Sequence, residues 1–396
     1  MRAPSVMLLG VASGLSVFGM AIIVPSTNSI ATQYGAGFAT VQFVVSAYLF
    51  GLAVAQPVSG ILCDRFGRRP VMLGGFALFT IASLLCAAAP SLPLLIAGRF
   101  LQAVGVSVGT VSTRAILRDT HDGDDMAEAM SYIAAAMGVA PILAPVVGGF
   151  IDTYVGFRAT FFVTAAMGAT VLVAMRLRLS ETLSRDHVPP RLGTLLRNYR
   201  ILLSSPQFVG YTLIYGFKQG AFFSFLAIGA PFFAAQFGLD SKTFGMLWGA
   251  LAIAYVGGAT IGARLTSRIG ALAVMRVSIW CTVGAGLLML AAAHVEVLAV
   301  VHVLLPMALL MIFAGSATPN AMAGAVRFHP EMAGTASGLS SAIGLVVGGS
   351  FTIISGSVYS GSFRPIGILI FSATVASMLS WLLASRPLRS PSSEST

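Results

Sequence analysis

Residues 277–326, VSIWCTVGAGLLMLAAAHVEVLAVVHVLLPMALLMIFAGSATPNAMAGAV, carry a single charged side chain, Glu296. About 20 helical residues cross a hydrocarbon core of about 30 Å. The stretch therefore holds two crossings, separated near that glutamate. Residues 203–235 repeat the pattern, with Lys218 as the one charge. The whole chain of 396 residues is 57% hydrophobic and 9% charged, against about 25% charged in soluble domains, so lipid must solvate its outside. Windows of this kind predict twelve spans, near 6–30, 41–62, 70–89, 92–116, 130–151, 158–176, 207–233, 243–263, 271–292, 297–321, 332–356 and 365–385. The first follows Arg2 but lacks a small-residue cleavage site, so it reads as a span and not a signal peptide. Cys63, Cys86 and Cys281 have no paired spacing and read as small packing residues.

In a soluble protein a net charge of +10 would suggest nucleic acid as a partner. Here the charges sort by side of the membrane. With both termini in the cytoplasm, eighteen of the 23 basic residues fall inside, from Arg2, Arg65, Arg68 and Arg69 to Arg386 and Arg389. Arg158, Lys242 and Arg364 fall outside, and Arg99 and Lys218 lie within spans. The basic balance is topology, and no nucleic acid is expected.

The longest polar stretch, 177–206, lies midway and is rich in Arg and Pro. It reads as a cytoplasmic linker between a six-helix bundle over 1–176 and another over 207–386, with 387–396 as a cytoplasmic tail. Duplicated halves are common in transporters. Asp64-Arg65-Phe66-Gly67, after the second span, overlays Ser267-Arg268-Ile269-Gly270, after the eighth, at an offset of 203.

Gly60-x-x-x-Asp64-Arg65-x-Gly67-Arg68-Arg69-Pro70 resembles the signature loop between the second and third helices of the major facilitator superfamily. Gly67 permits a tight turn, and Asp64 can cap or pair with basic groups at neighbouring helix ends. The resemblance gives Asp64, Arg65, Gly67 and Arg68 a gating role on the cytoplasmic side. Arg99-Phe-Leu-Gln102-Ala-Val-Gly105 is similar to the family's second motif, whose embedded arginine is linked to proton transfer. Equally, an arginine there can bond backbone carbonyls between helices and only stiffen one half. Gly138-Val-Ala-Pro141-Ile-Leu-Ala-Pro145-Val-Val-Gly148-Gly149 resembles the motif of the antiporter branch, which favours export over uptake. Small residues there allow close helix approach, and the prolines bend the span. Arg114-Ala-Ile-Leu-Arg118-Asp119, Ser180-Glu181-Thr182-Leu183, Asn320-Ala-Met-Ala and Pro330-Glu331-Met-Ala-Gly334-Thr-Ala-Ser337 narrow the resemblance to Bcr/CflA-type drug-resistance exporters. The implied fold is all-α, with twelve transmembrane helices in two pseudo-symmetric bundles.

The chain departs from that pattern in its first span. Such exporters usually place an Asp there, a few residues before a Pro; the matching stretch is Gly19-Met20-Ala21-Ile22-Ile23-Val24-Pro25, with Ala21 in the acid's place. None of the 13 acidic residues falls near a span centre, which argues against a cavity for organic cations. Lys218, conversely, sits near the middle of the seventh span, too far from either interface to snorkel, and is a functional candidate. Two roles are open: attraction of an anionic or zwitterionic substrate, or exchange of a proton in place of the missing carboxylate.

Tyr48, Gln56, Tyr211, Tyr215, Phe222, Phe225, Trp248 and Asn320 suit a cavity with apolar walls and a few polar anchors, and join Lys218 as substrate-binding candidates. Arg99 and Lys218 are the coupling candidates; Gly138, Pro141, Pro145 and Gly149 join the gating set. Met307-x-x-x-Met311 has soft-metal spacing but reads as packing. His302 reads as an interhelical hydrogen-bonding group. His121-Asp122-Gly123-Asp124-Asp125 lacks the glutamate of a calcium loop and reads as a solvated loop. There is no Walker loop and no catalytic constellation, so no cofactor or enzymatic activity is expected. The expectation is a monomeric, inner-membrane, proton-coupled exporter of small amphipathic molecules, with antibiotic efflux in its range. The alternatives are an importer of an organic anion or other small solute with the same fold, or a non-transporting membrane receptor.

Overall fold

The computed structural model describes residues 5–121, 123–183, 192–295 and 298–385. Arg2, Asp122, Arg185, Arg191, Glu296, Arg386, Arg389 and the tail 387–396 lie outside the described residues. Among the described residues there are twelve helices long and apolar enough to cross a membrane: α1 Val6–Tyr34, α2 Phe38–Phe66, α3 Arg68–Ala88, α4 Leu92–Thr120, α5 Glu128–Tyr154, α6 Arg158–Arg178, α7 Pro206–Phe237, α8 Ser241–Ile269, α9 Ala271–Ala292, α10 Val300–Arg327, α11 Pro330–Val358 and α12 Arg364–Ala384. All twelve coincide with the expected spans. Several run further, because helical hydrogen bonding continues past the apolar window into the interface.

Two expectations need correcting. Helix continues back from α5 to Gly123, so the end of the stretch read as a solvated loop is its first turns. The linker contains a helix, Leu192–Ser204, that a search for spans misses at 13 residues; its Leu202 is buried against Phe208 and Tyr211 of α7. Within α1, regular helix stops at Ala21, and a 3-10 turn over Val24–Ser26 precedes Thr27–Tyr34. Pro25 has no N–H to continue the ladder.

The duplication glimpsed in four residues extends through the fold. In the first half α1 packs on α5, α2 and α3 on α4, and α3 on α6; in the second, α7 packs on α11, α8 and α9 on α10, and α9 on α12. Positive φ is confined, among the described residues, to six glycines that pair across the halves: Gly35 with Gly238, Gly67 with Gly270 and Gly156 with Gly361. The turn before α3 (φ 98°, ψ 155°) is reproduced before α9 (φ 85°, ψ 152°). Only glycine adopts this backbone without strain.

The halves meet where α5 faces α8 and α2 faces α11. A Cβ on Gly149 would collide with the Ser241 carbonyl, and one on Gly245 with that of Pro145. Nearby, Gln42 Nε2 donates to the Ala227 carbonyl at 2.9 Å, Phe38 meets Tyr359 edge to face at 5.2 Å, and Lys242 Nζ donates to the Tyr154 hydroxyl at 3.2 Å. These contacts cluster at the membrane end opposite most of the arginines, and seal it by backbone-close packing.

Candidate functional site

Three of the sequence motifs converge at the arginine-rich end of the first half. Arg68 is 1% exposed and pairs with Asp64, one turn back in the chain, and with Asp119 at the end of α4, at 3.1 Å. Glu181, just after α6, accepts hydrogen bonds from the backbone N–H groups of Arg68 (2.8 Å) and Arg69 (3.1 Å). Its carboxylate thus satisfies the first free donors of α3 and faces the positive end of that helix. Any side chain at Gly67 would occupy the space Glu181 fills. Arg69 Nη2 donates to the Arg176 carbonyl at 3.1 Å. Arg65 is exposed, its guanidinium 5.5 Å from the Phe66 ring. The gating candidates Asp64, Gly67 and Arg68 thus clamp α2, α3, α4 and the chain after α6 together. In the seam motif, Gly149 is pressed against α8, Pro145 carries the carbonyl facing Gly245, Pro141 lies within the same helix, and a Cβ on Gly138 would meet Val256 of α8 in ordinary contact, at 3.9 Å.

Arg99 is completely buried in the first half. Its guanidinium donates to the carbonyls of Gly19 (2.8 Å), Met20 (3.4 Å) and Val44 (3.1 Å) and to Gln102 Oε1 (2.6 Å), and lies 4.2 Å from the Tyr48 ring centroid. Gly19 and Met20 are the last residues but one or two of the α1 segment that ends at Ala21. Their carbonyls belong to the end of a buried helical segment, where a fixed cation fits the negative pole. Gln102 Nε2 continues the network to Ser83 and Thr164, and the Tyr48 hydroxyl donates to the Ser16 carbonyl. These are the interhelical carbonyl bonds that a stiffening arginine would make. Tyr48 accordingly lies fully buried in the packing of the first half. Ala21 is buried against Ala144.

Lys218 is also buried, at 3% exposure, but its surroundings differ. Its ammonium donates to Thr282 Oγ1 of α9 at 2.9 Å, and no acidic side chain pairs with it among the described residues. Beside it is a cavity of about 20 Å³ lined by Ala221, Phe222, Thr282, Met307, Leu310, Met311 and Ala314, room for about one water molecule. The cavity lies between α7, α9 and α10, inside the second half and away from the seam. No cargo molecule fits in it, so direct attraction of a substrate to Nζ has no geometric support here. Met307 and Met311 are its apolar walls. Thr282 in turn donates to the Ser278 carbonyl, and the Ser278 and Ser316 hydroxyls meet at 2.7 Å. Asn320 Nδ2 donates to the Ser316 carbonyl and to Thr266 Oγ1, so a polar ladder runs from Lys218 toward the arginine-rich end. At the offset of 203, the first half has Leu15 and Phe79 where the second has Lys218 and Thr282, both in the apolar core. The lysine pair breaks the pseudo-symmetry of the two bundles. Thr282 was missed in the sequence because a lone threonine in a span carries no signal.

The other candidates fall into separate places. Phe222, Phe225 and Trp248 form one aromatic cluster, Trp248 edge to face with Phe222 at 5.3 Å and stacked with Phe225 at 6.0 Å. Gln56 of α2 accepts from Ser341 of α11 across the seam at 3.2 Å, and Ser341 also faces the Tyr215 hydroxyl. Tyr211 packs on Phe328 and Trp381 within the second half. His302 bonds the Ala299 N–H of its own first turn, a local cap where an interhelical bond was expected. Asp152, 8% exposed at the end of α5, accepts from Ser29 at 2.8 Å. No cluster of three metal-ligating side chains occurs among the described residues.

The family model of the major facilitator superfamily matches residues 9–353. The chain belongs to that superfamily. Within it the match runs to Bcr/CflA-type drug-resistance proteins. Multidrug resistance protein D of Escherichia coli is 31% identical over 92% of both chains, and the bicyclomycin resistance protein homolog of Haemophilus influenzae is 26% identical over 97% of both. The fold of a bacterial homolog of the human lysosomal transporter Spinster, solved inward-facing and unoccupied, superposes with a TM-score of 0.76 at 14% identity, covering 96% of this chain and 95% of that one. The chain is thus a multi-pass membrane protein of this transporter superfamily.

Proposed function

We propose that this protein exports small amphipathic molecules, anionic, zwitterionic or neutral, from the bacterial cytoplasm by alternating access, and that uptake of a proton through Lys218 drives it. Buried Lys218 carries the proposal. It is a charged group held by one hydroxyl, beside space for one water, in a chain that has no carboxylate in its first span. An amine in that setting has a strained charge and spare capacity for proton exchange. The arginine-rich end is placed in the cytoplasm with both termini, so the sealed seam closes the outer side, and the halves 1–176 and 207–386 move about the linker. The similarity to multidrug, bicyclomycin and chloramphenicol resistance proteins supports a drug-like cargo. The protein acts as a monomer in the inner membrane, with solute and protons as its partners.

Transport into proteoliposomes under an imposed pH gradient tests the reading, with anionic, zwitterionic and cationic candidates. Lys218→Gln is expected to abolish gradient-driven accumulation while leaving exchange of labelled for unlabelled substrate intact. Wild-type pH dependence in Lys218→Gln removes lysine from the mechanism, and preferred transport of cations overturns the cargo argument.

A further inference from the structure

A groove of about 160 Å³ opens on the lipid-facing surface between α9 and α12, lined by Arg276, Ile279, Trp280, Met378, Leu379, Trp381 and Leu382. Trp280, Leu379 and Leu382 are 62%, 53% and 63% exposed. Every lining residue but one is apolar or aromatic. The exception, Arg276, lies little more than a turn inside the arginine-rich end of α9, is exposed, and makes no ion pair or hydrogen bond among the described residues. Trp381 lies at the same end of α12. An arginine near the end of a span, without a partner among the described residues and above an apolar trough flanked by two indoles, is complementary to a phosphate ester with a hydrocarbon chain beneath it.

We propose that this groove is a binding site for an anionic phospholipid of the leaflet at the arginine-rich face, with the phosphate on Arg276 and an acyl chain along Ile279, Met378 and Leu382. A zwitterionic lipid fits the trough equally well but offers the guanidinium no net charge. Specificity therefore rests on Arg276, and the site is independent of Lys218 and of the direction of transport.

The protein carries its own probe. Of its three tryptophans, two line the groove and the third, Trp248, is buried away from lipid. Purified protein is reconstituted with increasing mole fractions of dibrominated phosphatidylglycerol or dibrominated phosphatidylcholine, and tryptophan quenching is recorded. Half-quenching is expected at about fivefold lower mole fraction for the phosphatidylglycerol, from one basic contact, with the difference shrinking in high salt. In Arg276→Gln the two lipids are expected to quench alike, and continued quenching by the phosphatidylcholine confirms that the groove is still formed. Equal quenching by both lipids in the wild type, or a preference that survives Arg276→Gln, overturns the proposal.

Discussion

Replacing Arg99 with methionine separates an anchoring arginine from a proton-transferring one. Methionine fills much of the same volume but donates nothing. The carbonyls of Gly19 and Met20, at the end of the α1 segment and fully enclosed, lose their 2.8 and 3.4 Å partners. Leaving each bare costs about 2 kcal/mol, and losing the guanidinium over Tyr48 adds about 1 kcal/mol. Relief from burying an ion offsets part of this. The net loss is about 3 kcal/mol, which for a chain of this length lowers Tm by on the order of 4 °C. Thermal unfolding of the detergent-purified variant checks the magnitude, and faster amide exchange over residues 19–27 locates it. Arg99→Lys, which reaches fewer of the four acceptors, should fall between the two. Unchanged Tm and exchange in Arg99→Met, with gradient-driven transport alone lost, would refute the anchoring role.

Lys218→Met should behave in the opposite way. The site is apolar apart from Thr282, so stability, read as Tm, should hold within about 1 kcal/mol or rise, while gradient-driven transport disappears. Glu181→Ala should destabilise by about 1–2 kcal/mol through the lost cap of α3, read as Tm, with Glu181→Gln recovering most of it. Gly149→Val should prise α5 from α8 and open the outer seam, so that an externally added maleimide labels Gln42→Cys faster than in the otherwise unchanged protein. At the mouth of α8, Asp240 Oδ1 accepts the Thr243 N–H at 2.9 Å, and the bonds from Thr243 hold its carboxyl below the ordinary aspartate value. A lowered native value means the cap stabilises fully above the unfolded pKa and fades as pH falls through the native one. Asp240→Asn should therefore remove a small acid-side dependence of Tm below about pH 4, with little effect at neutral pH.

Most of the architecture was legible because lipid leaves few choices. A span must satisfy its own backbone, so apolar length and charge punctuation suffice to count helices. The sequence search stopped short at the linker helix and at the start of α5, where helices run in polar surroundings and amphipathicity replaces uniform apolarity as the signal. The latch was half legible: Asp64, Arg68, Asp119 and Glu181 all stand in recognisable motifs, but spacing along the chain cannot say that Glu181 caps a helix more than a hundred residues away. The binding candidates fared unevenly for a related reason. A tyrosine in a span looks the same whether it stacks on Arg99, as Tyr48 does, or faces the seam through Ser341, as Tyr215 does.

The two buried cations divide the work by what each side chain can release. Arg99 has four acceptors and an aromatic face, and a guanidinium keeps its proton under any condition a cell presents. Its geometry spends that permanence on fixing the broken end of α1 to α2 and α4, so a charge that never changes does a structural job. Lys218 has one hydroxyl, a cavity for one water and a polar ladder leading off through Ser278, Ser316 and Asn320. A side chain that can lose its proton stands where the other half of the molecule keeps Leu15 and Phe79 as plain core. Had the lysine served only packing, the symmetric solution was already present in the same chain. Its presence in one half alone, with enough polar company to tolerate a charge and too little to pin it, is why the proposed proton coupling is sought at α7 and not at the arginine of α4.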